Sequence, residues 1–158
     1  MICPCQDKSA TNARLYEDCC ESKHKGLTKA QSAEELMRSR YSAFFLGLGK
    51  YIFDTHHADF RNGTVEDYTA SAQSTNWCRL EVLESEQLES NDKVNFKAYF
   101  FEKDKLHCMH EISNFVLEAN QWFYTDGEYQ PKTVEKIARN DQCPCQSGLK
   151  AKKCHLLI

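Results

Sequence analysis

Several hallmarks of known protein classes are missing from this sequence of 158 residues. No apolar run approaches the length of a membrane span, and nothing at Met1 resembles a signal peptide. There is no phosphate-binding loop, dinucleotide-binding fingerprint or catalytic triad order, so no enzyme class follows from a motif. We therefore expect a cytoplasmic protein with reduced thiols. Its composition, 41% apolar and 27% charged, is typical of one soluble globular unit.

Cysteine, by contrast, is abundant, and three of the nine cysteines lie in the C-terminal tail. One residue separates Cys143 from Cys145, and eight more precede Cys154 and its neighbour His155. Three thiolates and one imidazole form the tetrahedral shell that suits Zn²⁺, whereas Mg²⁺ and Ca²⁺ prefer oxygen ligands. Chance cysteines or a disulfide are weaker interpretations, because a polar tail has no core and cytosolic thiols stay reduced. The tail therefore predicts a zinc site, with residues 149–153 forming a short helical turn.

A looser version of this pattern opens the chain. Cys3, Cys5, Cys19 and Cys20 could form a four-cysteine zinc site, but thirteen residues separate Cys5 from Cys19 instead of eight. The longer loop adds well under ~1 kcal/mol of closure entropy, so we expect this site to bind metal too. Two alternatives stay open: His24 replaces one of the adjacent cysteines, or this end of the chain binds no metal.

Charge is unevenly distributed along the chain. Residues 131–158 hold six basic and two acidic side chains, a balance of +4, which leaves −7 for the rest of a chain whose total is −3. A basic tail on an acidic body suits docking to an acidic partner, either a protein or a nucleic acid. Alternatively, Lys150, Lys152 and Lys153 only keep the zinc turn soluble and its thiolates ionised.

The middle of the chain changes from helical to strand periodicity near residue 76. Apolar residues at steps of three and four predict a helix over 33–46, capped by Thr28 or Ser32, and shorter helices follow at 51–57 and 65–71. Alternating patterns then predict strands at 77–83, 93–101, 105–117 and 121–125, separated by polar breaks at 90–92, 102–104 and 118–120. Such short connections favour an antiparallel meander, and the fold class is therefore α+β, with the helices covering one face of the sheet.

One strand carries the best candidate for catalysis or ligand binding. Glu111 and Ser113 share a face of the third strand, and a semi-buried Glu near a Ser could act as a general acid or base. Arg38 or Arg40 could reach it from the first long helix. A purely structural Glu–Arg pair is the stronger interpretation. Aromatic walls for such a pocket could come from Trp77, Tyr99, Trp122 and Tyr124.

Other reactive side chains give weaker signals. Cys78 and Cys108 are left over from the two metal sites, and we expect them to be small buried hydrophobes. Cys108 shares a strand face with His110, which is a weak indication of a nucleophile. Neighbouring His56 and His57 are expected to point away from each other on a helix and to be exposed to solvent.

These motifs together resemble a known family. The tail, with its two Cys around Pro144, then Ser147 and Gly148, then a Cys-His pair, is similar to the SEC-C motif, named for the C-terminus of the preprotein translocase ATPase. With a second copy at the N-terminus, the chain resembles YchJ-type bacterial proteins. The resemblance continues through residues 36–44, Trp77, 110–115 and 122–127. It implies a nuclear-transport-factor-like (cystatin-like) middle domain at 26–130, zinc motifs at 1–25 and 131–158, and no settled activity.

Two functions are compatible with these expectations. The first is a non-catalytic adaptor, in which closed zinc sites present basic surfaces to a protein or to a ribosome or other nucleic acid. The SEC-C motif of the translocase ATPase is associated with contacts to a chaperone and the ribosome, and this resemblance supports the adaptor hypothesis. The second is a small-molecule binder or enzyme that uses a pocket of the middle domain, with Glu111 as acid or base.

Overall fold

The structure, a computed structural model, describes residues 1–88 and 91–157. Helices come first along the chain and strands follow, as predicted. The helices are α1 (Glu21–His24), α2 (Ala33–Leu46), α3 (Gly49–Thr55) and α4 (Val65–Gln73). Short 3-10 helices lie at Tyr16–Asp18 and Ala151–Lys153. Among the helices described, none combines the length and apolar character that crossing a membrane requires.

Local capping explains the predicted bounds of α2. Ser32 Oγ accepts a hydrogen bond from the backbone N–H of Glu35 at 3.1 Å, so Ser32 rather than Thr28 is the N-cap. At the other end Gly47 has φ of +75°, a left-handed conformation that glycine adopts readily and that ends the helix. Leu36 and Met37 are buried against the sheet.

The two helices after α2 differ slightly from the prediction. α3 ends at Thr55, so the predicted helix over 51–57 is too long at its C-terminal end. There His56 leaves the helix and forms a parallel bridge with Tyr124. α4 is two residues longer than predicted and begins with a capping box between Thr64 and Asp67.

The strands form the predicted antiparallel meander. They are β1 (Asn76–Leu88), β2 (Asn91–Glu102), β3 (Lys105–Glu118), β4 (Gln121–Tyr129) and β5 (Thr133–Lys136). The first four pair in the order β1-β2-β3-β4, which confirms the four predicted strands, although each is longer than predicted. Two predicted breaks are turns with positive φ, at Lys103 and at Ala119 and Asn120. In the third, Asn91 and Asp92 begin β2, and Ser90 lies outside the described residues.

The fifth strand was not predicted from the sequence. β5 pairs antiparallel with Lys105–Cys108 of β3, whereas β4 pairs with the same strand from Glu111 onward. One edge of β3 is thus shared by two strands. Each residue of β5 is exposed. Because neither face of this strand is buried, its sequence lacks the alternation of apolar and polar residues that predicts a strand.

The two faces of the sheet are covered by different parts of the chain. On one face, Phe96 packs with Leu36 of α2 and with the N-terminal cysteines. On the other, Phe101 and Leu106 pack with the cysteines of the C-terminal tail. The α+β architecture predicted for the middle of the chain is confirmed, with one terminal segment on each side of its sheet.

Candidate metal centres and interior cavity

The N-terminal cluster brings four cysteine thiols together inside the protein. The Sγ atom of Cys5 lies 3.7 Å from that of Cys3, 3.6 Å from that of Cys19 and 3.8 Å from that of Cys20. The sulfurs of Cys19 and Cys20 are 3.8 Å apart. A disulfide would need about 2.05 Å, and these thiols are free. All four residues are buried, and their sulfur atoms lie within 4.8 Å of one another, so the cluster could hold a metal ion.

A small hairpin holds this cluster in place. Ile2 and Leu15 form an antiparallel bridge, and the backbone N–H of Cys3 donates to the carbonyl oxygen of Arg14 at 2.9 Å. The 3-10 helix Tyr16–Asp18 then turns the chain, so that the adjacent cysteines after it face the first two.

Polar neighbours support the sulfur atoms and the loop. Gln6 Nε2 donates to Cys5 Sγ at 3.4 Å and to Cys19 Sγ at 3.6 Å. Arg38 Nη1 donates to the carbonyl oxygen of Cys5 at 2.9 Å, which ties α2 to the loop. The hydroxyl of Ser42 lies 3.5 Å from Cys3 Sγ.

His24 does not replace a cysteine in this cluster. Its Nδ1 atom is 2.8 Å from the hydroxyl of Tyr16, and its Nε2 atom is 2.8 Å from the carbonyl oxygen of Ser39. Both ring nitrogens are therefore used in hydrogen bonds. Burial lowers the pKa of His24 below its usual value, which favours the neutral ring.

The C-terminal cluster joins the four residues that the sequence singles out. Cys145 Sγ lies 3.5 Å from Cys154 Sγ, and His155 Nδ1 lies 3.2 Å from both Cys143 Sγ and Cys154 Sγ. The four ligand atoms are again within 4.8 Å of one another. The His155 ring stacks on Phe101 of β2 with 4.9 Å between ring centroids, which anchors the cluster to the outer face of the sheet.

The two clusters share one backbone frame. In the tail, Gln142 and Lys150 form the antiparallel bridge, and the N–H of Cys143 donates to the carbonyl oxygen of Leu149 at 2.8 Å. The 3-10 helix Ala151–Lys153 takes the place of the one at the N-terminus. The residues that follow these helices have similar φ and ψ angles: −129° and −86° at Cys19, −137° and −101° at Cys154. The thirteen-residue loop thus leaves the ligand frame intact.

Protons are unevenly shared among the thiols. Hydrogen bonds from Cys19, Cys20 and Cys5 hold the pKa of Cys3 far below its ordinary value, and a hydrogen bond with Cys19 raises the pKa of Cys20. In the tail, burial raises the pKa of Cys143 to about 12. A metal ion that bound these thiols would have to displace their remaining protons.

The two clusters approach each other across the edge strand β1. Arg79 Nη1 donates to the carbonyl oxygen of Pro144 at 3.4 Å. A groove of about 680 Å³ lies beside this contact and is lined by Gln6 and Asp7 from one cluster and by Gln146 from the other. The terminal segments therefore share a surface, although their ligands pack on opposite faces of the sheet.

A separate cavity of about 410 Å³ lies between the helices and the sheet. It is enclosed by large apolar and aromatic side chains from α2 and from the inner face of the sheet, together with a few polar groups. Its lining includes Met37, Arg40, Tyr41, Phe44, His56, Tyr68, Trp77, Phe96, Met109, Glu111, Ser113, Phe115 and Tyr124.

Glu111 and Arg40 are the charged residues of this cavity, and only 4% and 7% of their surfaces are exposed. Glu111 Oε1 accepts a hydrogen bond from the Tyr124 hydroxyl at 2.7 Å. The Arg40 guanidinium lies 4.8 Å from the centroid of the same tyrosine ring. Arg40 Nη1 donates to Ile52 O and Thr55 Oγ1, both at 2.7 Å. Tyr124 thus connects the two charges, which do not form a direct ion pair among the described residues.

The sequence matches the models of two protein families. The model described as YchJ, middle NTF2-like domain, matches residues 32–127, and the SEC-C motif matches residues 139–157. A UPF0225 protein of Vibrio vulnificus is 39% identical over 96% of both chains, and one of Shewanella sp. (strain MR-7) is 36% identical over 96% of this chain and 94% of its own.

The chain belongs to the YchJ-type UPF0225 family.

Solved structures agree with this family assignment. A SEC-C motif containing protein from Psychrobacter arcticus is 33% identical, with a TM-score of 0.71 over 100% of this chain and 97% of that one. RPA3114, a SEC-C motif containing protein from Rhodopseudomonas palustris, is 29% identical, with a TM-score of 0.70 over 78% of this chain and 98% of its own. The family fold therefore includes the helices and sheet described above. The boundaries 1–25, 26–130 and 131–158 stay predictions.

Within this family fold, only part of the predicted pocket lies where the sequence suggests. Glu111, Ser113 and Arg40 line one cavity, as predicted. Arg38 does not: its Nε donates to Glu34 at 3.2 Å, and its Nη1 bonds to the N-terminal loop. Arg40 follows Arg38 by two residues, a step that places the two side chains on different sides of the helix.

The predicted aromatic walls are likewise divided. Trp77 and Tyr124 line the cavity. Tyr99 lies on the opposite face of β2, where the guanidinium of Arg79 stacks 4.1 Å from its ring centroid. Trp122 is buried in the same core cluster as the N-terminal cysteines but does not belong to the lining of the cavity. The prediction was wrong for Tyr99 and Trp122, because alternation along a strand shows neither which face points toward the helices nor which part of that face lies over the cavity.

The predicted exposure of the paired histidines is wrong. His56 Nδ1 lies 2.7 Å from the Tyr68 hydroxyl, and its Nε2 lies 2.9 Å from the carbonyl oxygen of Thr125. Only 14% of the His57 side chain is exposed, and its Nε2 contacts Glu118 at 2.6 Å. Because the helix ends at Thr55, both side chains turn toward the sheet, His56 toward β4 and His57 toward the end of β3.

The two spare cysteines are buried and free, as predicted. Cys78 packs with the C-terminal cluster, and burial raises the pKa of its thiol to about 12. Cys108 forms no hydrogen bond with His110 among the described residues, because His110 Nε2 instead lies 2.7 Å from Asn95 Oδ1. The geometry therefore gives no support to a nucleophilic Cys108.

Proposed function

We propose that this protein binds two structural zinc ions and acts as an adaptor that docks on an acidic partner through its C-terminal cluster. The observation that carries the zinc assignment is the spacing of the N-terminal sulfurs. A regular tetrahedron with Zn–S bonds of about 2.3 Å has edges of about 3.8 Å. Four of the six sulfur–sulfur separations are 3.6 to 3.8 Å, and all six are within 4.8 Å.

The C-terminal ligand set supports the same metal. With Zn–N near 2.0 Å, the edge between sulfur and nitrogen is about 3.5 Å, slightly longer than the 3.2 Å from His155 Nδ1 to each neighbouring sulfur. Sulfur and imidazole ligands without a carboxylate favour zinc over the hard cations.

Closed ligand shells favour a structural role for both ions. Each cluster offers four protein ligands, whereas catalytic zinc usually has three and leaves one position for water. In each site the metal would fasten a terminal segment to one face of the sheet. The ions themselves are therefore not proposed to carry a reaction.

The surface around the C-terminal cluster supports docking. Lys150 and Lys153 are exposed, Lys152 is half-buried, and these three amines form no salt bridge among the described residues. Leu149 and Leu157 are exposed beside them. Free positive charge next to apolar side chains suits an acidic surface that also offers apolar contacts. We propose a ribosome or other nucleic acid as the partner, with an acidic protein as the alternative.

Metal content tests the zinc assignment. Elemental analysis with native mass spectrometry should find two zinc ions per chain, one lost in Cys19→Ser and the other in Cys154→Ser. Cys108→Ser, a buried cysteine outside both clusters, is the matched control and should retain both ions. Metal-free protein purified under reducing conditions without chelator would contradict the proposal.

Docking is tested by co-sedimentation with ribosomes at increasing salt. Binding should weaken steeply as salt rises, and a Lys150→Glu, Lys152→Glu, Lys153→Glu triple variant should bind at least about 10-fold more weakly. A matched triple change at Lys93, Lys97 and Lys105, which lie on the sheet, is the control. Equal loss in both variants would indicate non-specific attraction, and binding to acidic proteins alone would favour the alternative partner.

The second candidate function is small-molecule binding or catalysis in the interior cavity, with Glu111 as acid or base. It is favoured by the burial of Glu111 and Arg40 beside a cavity of about 410 Å³. A Glu111→Gln variant that retains its fold and loses a bound molecule would support it.

A further inference from the structure

We propose that the interior cavity binds a small, uncharged, planar aromatic molecule that carries a hydrogen-bond acceptor. This inference rests on the second candidate function, binding of a small molecule in the cavity, and does not depend on zinc or on docking.

The shape and walls of the cavity select an aromatic ligand. Its volume of about 410 Å³ falls in the range of about 300 to 1,000 Å³ that is typical of small-molecule sites. Phe44 and Trp77 meet edge to face with 6.3 Å between ring centroids, and Phe115 and Tyr124 line the cavity from the sheet. Flat rings are well accommodated between such side chains because offset and edge-to-face contacts are both available.

The charges of the cavity balance without a ligand. Arg40 and Glu111 contribute one positive and one negative charge, both nearly completely buried. Tyr124 contacts both, with its hydroxyl on Glu111 and its ring beneath Arg40. An ion that entered this space would lose its hydration and leave one buried charge in excess, which is costly in a low-dielectric interior. An uncharged ligand avoids that cost.

Two unpartnered donors indicate the required polar group. Tyr41 Oη and Trp77 Nε1 are buried atoms with no hydrogen-bond partner among the described residues. Both residues line the cavity, and their rings lie 6.2 Å apart, centroid to centroid. Only 5% of Tyr41 is exposed, and burial raises the pKa of its hydroxyl, so it stays a donor. Leaving such donors unpaired is unfavourable, and a ligand carbonyl oxygen would satisfy one or both.

The cavity reaches solvent on one side. Ser71 and Tyr129 belong to its lining and are both exposed, Tyr129 by 62%. A molecule could therefore enter between α4 and β4 without unfolding of the core.

Three molecules of the same shape separate the possibilities: benzamide is uncharged, benzoate is an anion and benzamidine is a cation. Trp77 fluorescence reports binding once Trp122, the other of the two tryptophans, is replaced by Phe. We expect benzamide to bind with Kd of about 1 mM, a value typical of so small a ligand. Benzoate and benzamidine should bind at least about 10-fold more weakly. Tighter binding of either ion would overturn the assignment of charge but leave small-molecule binding by the cavity in place. No binding of any of the three would refute the aromatic ligand proposed here, whereas the Glu111→Gln experiment tests small-molecule binding by the cavity itself.

Variants locate the site in the same background. Tyr41→Phe should weaken benzamide binding by about 5- to 10-fold without lowering the melting temperature, because it removes a hydroxyl that has no partner in the protein. Tyr99→Phe is the matched control, since its hydroxyl lies on the opposite face and donates to Glu81. Unchanged affinity in Tyr41→Phe, or an equal loss in Tyr99→Phe, would place the molecule elsewhere and refute the proposal.

Discussion

Replacing Arg40 by Met should destabilise this protein severely although it inserts an apolar side chain of similar length. Arg40 Nη1 donates to Ile52 O and Thr55 Oγ1, and the guanidinium covers the ring of Tyr124. Met removes both hydrogen bonds. It leaves Ile52 O near the end of α3 without this donor and Glu111 without a nearby positive charge.

The magnitude follows from these contacts. Two hydrogen bonds from a charged donor contribute about 1.5 to 3 kcal/mol each, and a desolvated cation–π contact about 1 to 2 kcal/mol. Against this stands the cost of burying the guanidinium, which is visible in the burial that lowers the pKa of Arg40 to about 10. We expect a net loss of about 3 to 5 kcal/mol, similar to that of breaking a buried charged pair.

Urea unfolding followed by circular dichroism measures this loss as a change in unfolding free energy. Arg40→Met combined with Glu111→Gln should cost at least about 1 kcal/mol less than the sum of the two single changes, because the remaining buried charge is removed as well. Arg38→Met is a matched control from the same helix and should cost about 1 kcal/mol, since Arg38 is partly exposed. A loss below about 1 kcal/mol in Arg40→Met, or strict additivity of the double variant, would refute the reasoning.

Two further predictions concern histidines and capping. Burial lowers the pKa values of His24 and His56 in the folded protein. As pH falls, these histidines therefore bind protons in the unfolded chain before they do so in the folded protein. The unfolding free energy should be highest above about pH 6.5 and should decrease as pH falls below that value. Urea unfolding at about pH 7.5 and about pH 5.5, with metal content monitored, should show a smaller fall for His56→Gln than for the parent protein, and an identical fall would contradict this role. Ser32→Ala should lower the unfolding free energy by about 1 kcal/mol, because it removes the acceptor for the N–H of Glu35, whereas Ser32→Thr should retain most of it; equal losses in thermal unfolding would count against the cap.

Local signals allowed much of the fold to be predicted from the sequence. Ser32 and Gly47 bound α2 because a side-chain cap and a left-handed glycine act within a few residues of the helix ends. Alternation predicted four strands and their antiparallel order, because short connections join neighbours. The eight metal-ligand candidates could be named in advance because their chemistry depends on residue type and close spacing. β5 was missed because it is exposed throughout and carries no such pattern.

Tertiary structure decided what local patterns leave open. Whether thirteen residues between Cys5 and Cys19 still allow one ligand cluster depends on how the hairpin and the 3-10 helix fold back together. The two arginines on one helix were equivalent candidates, but packing placed Arg40 in the cavity and Arg38 against the N-terminal loop. Residues such as Tyr41 acquire an unsatisfied hydroxyl only when distant chain segments enclose them. The sequence by itself thus determined the ligand types and the order of the elements, while long-range packing determined which side chains share an enclosed space.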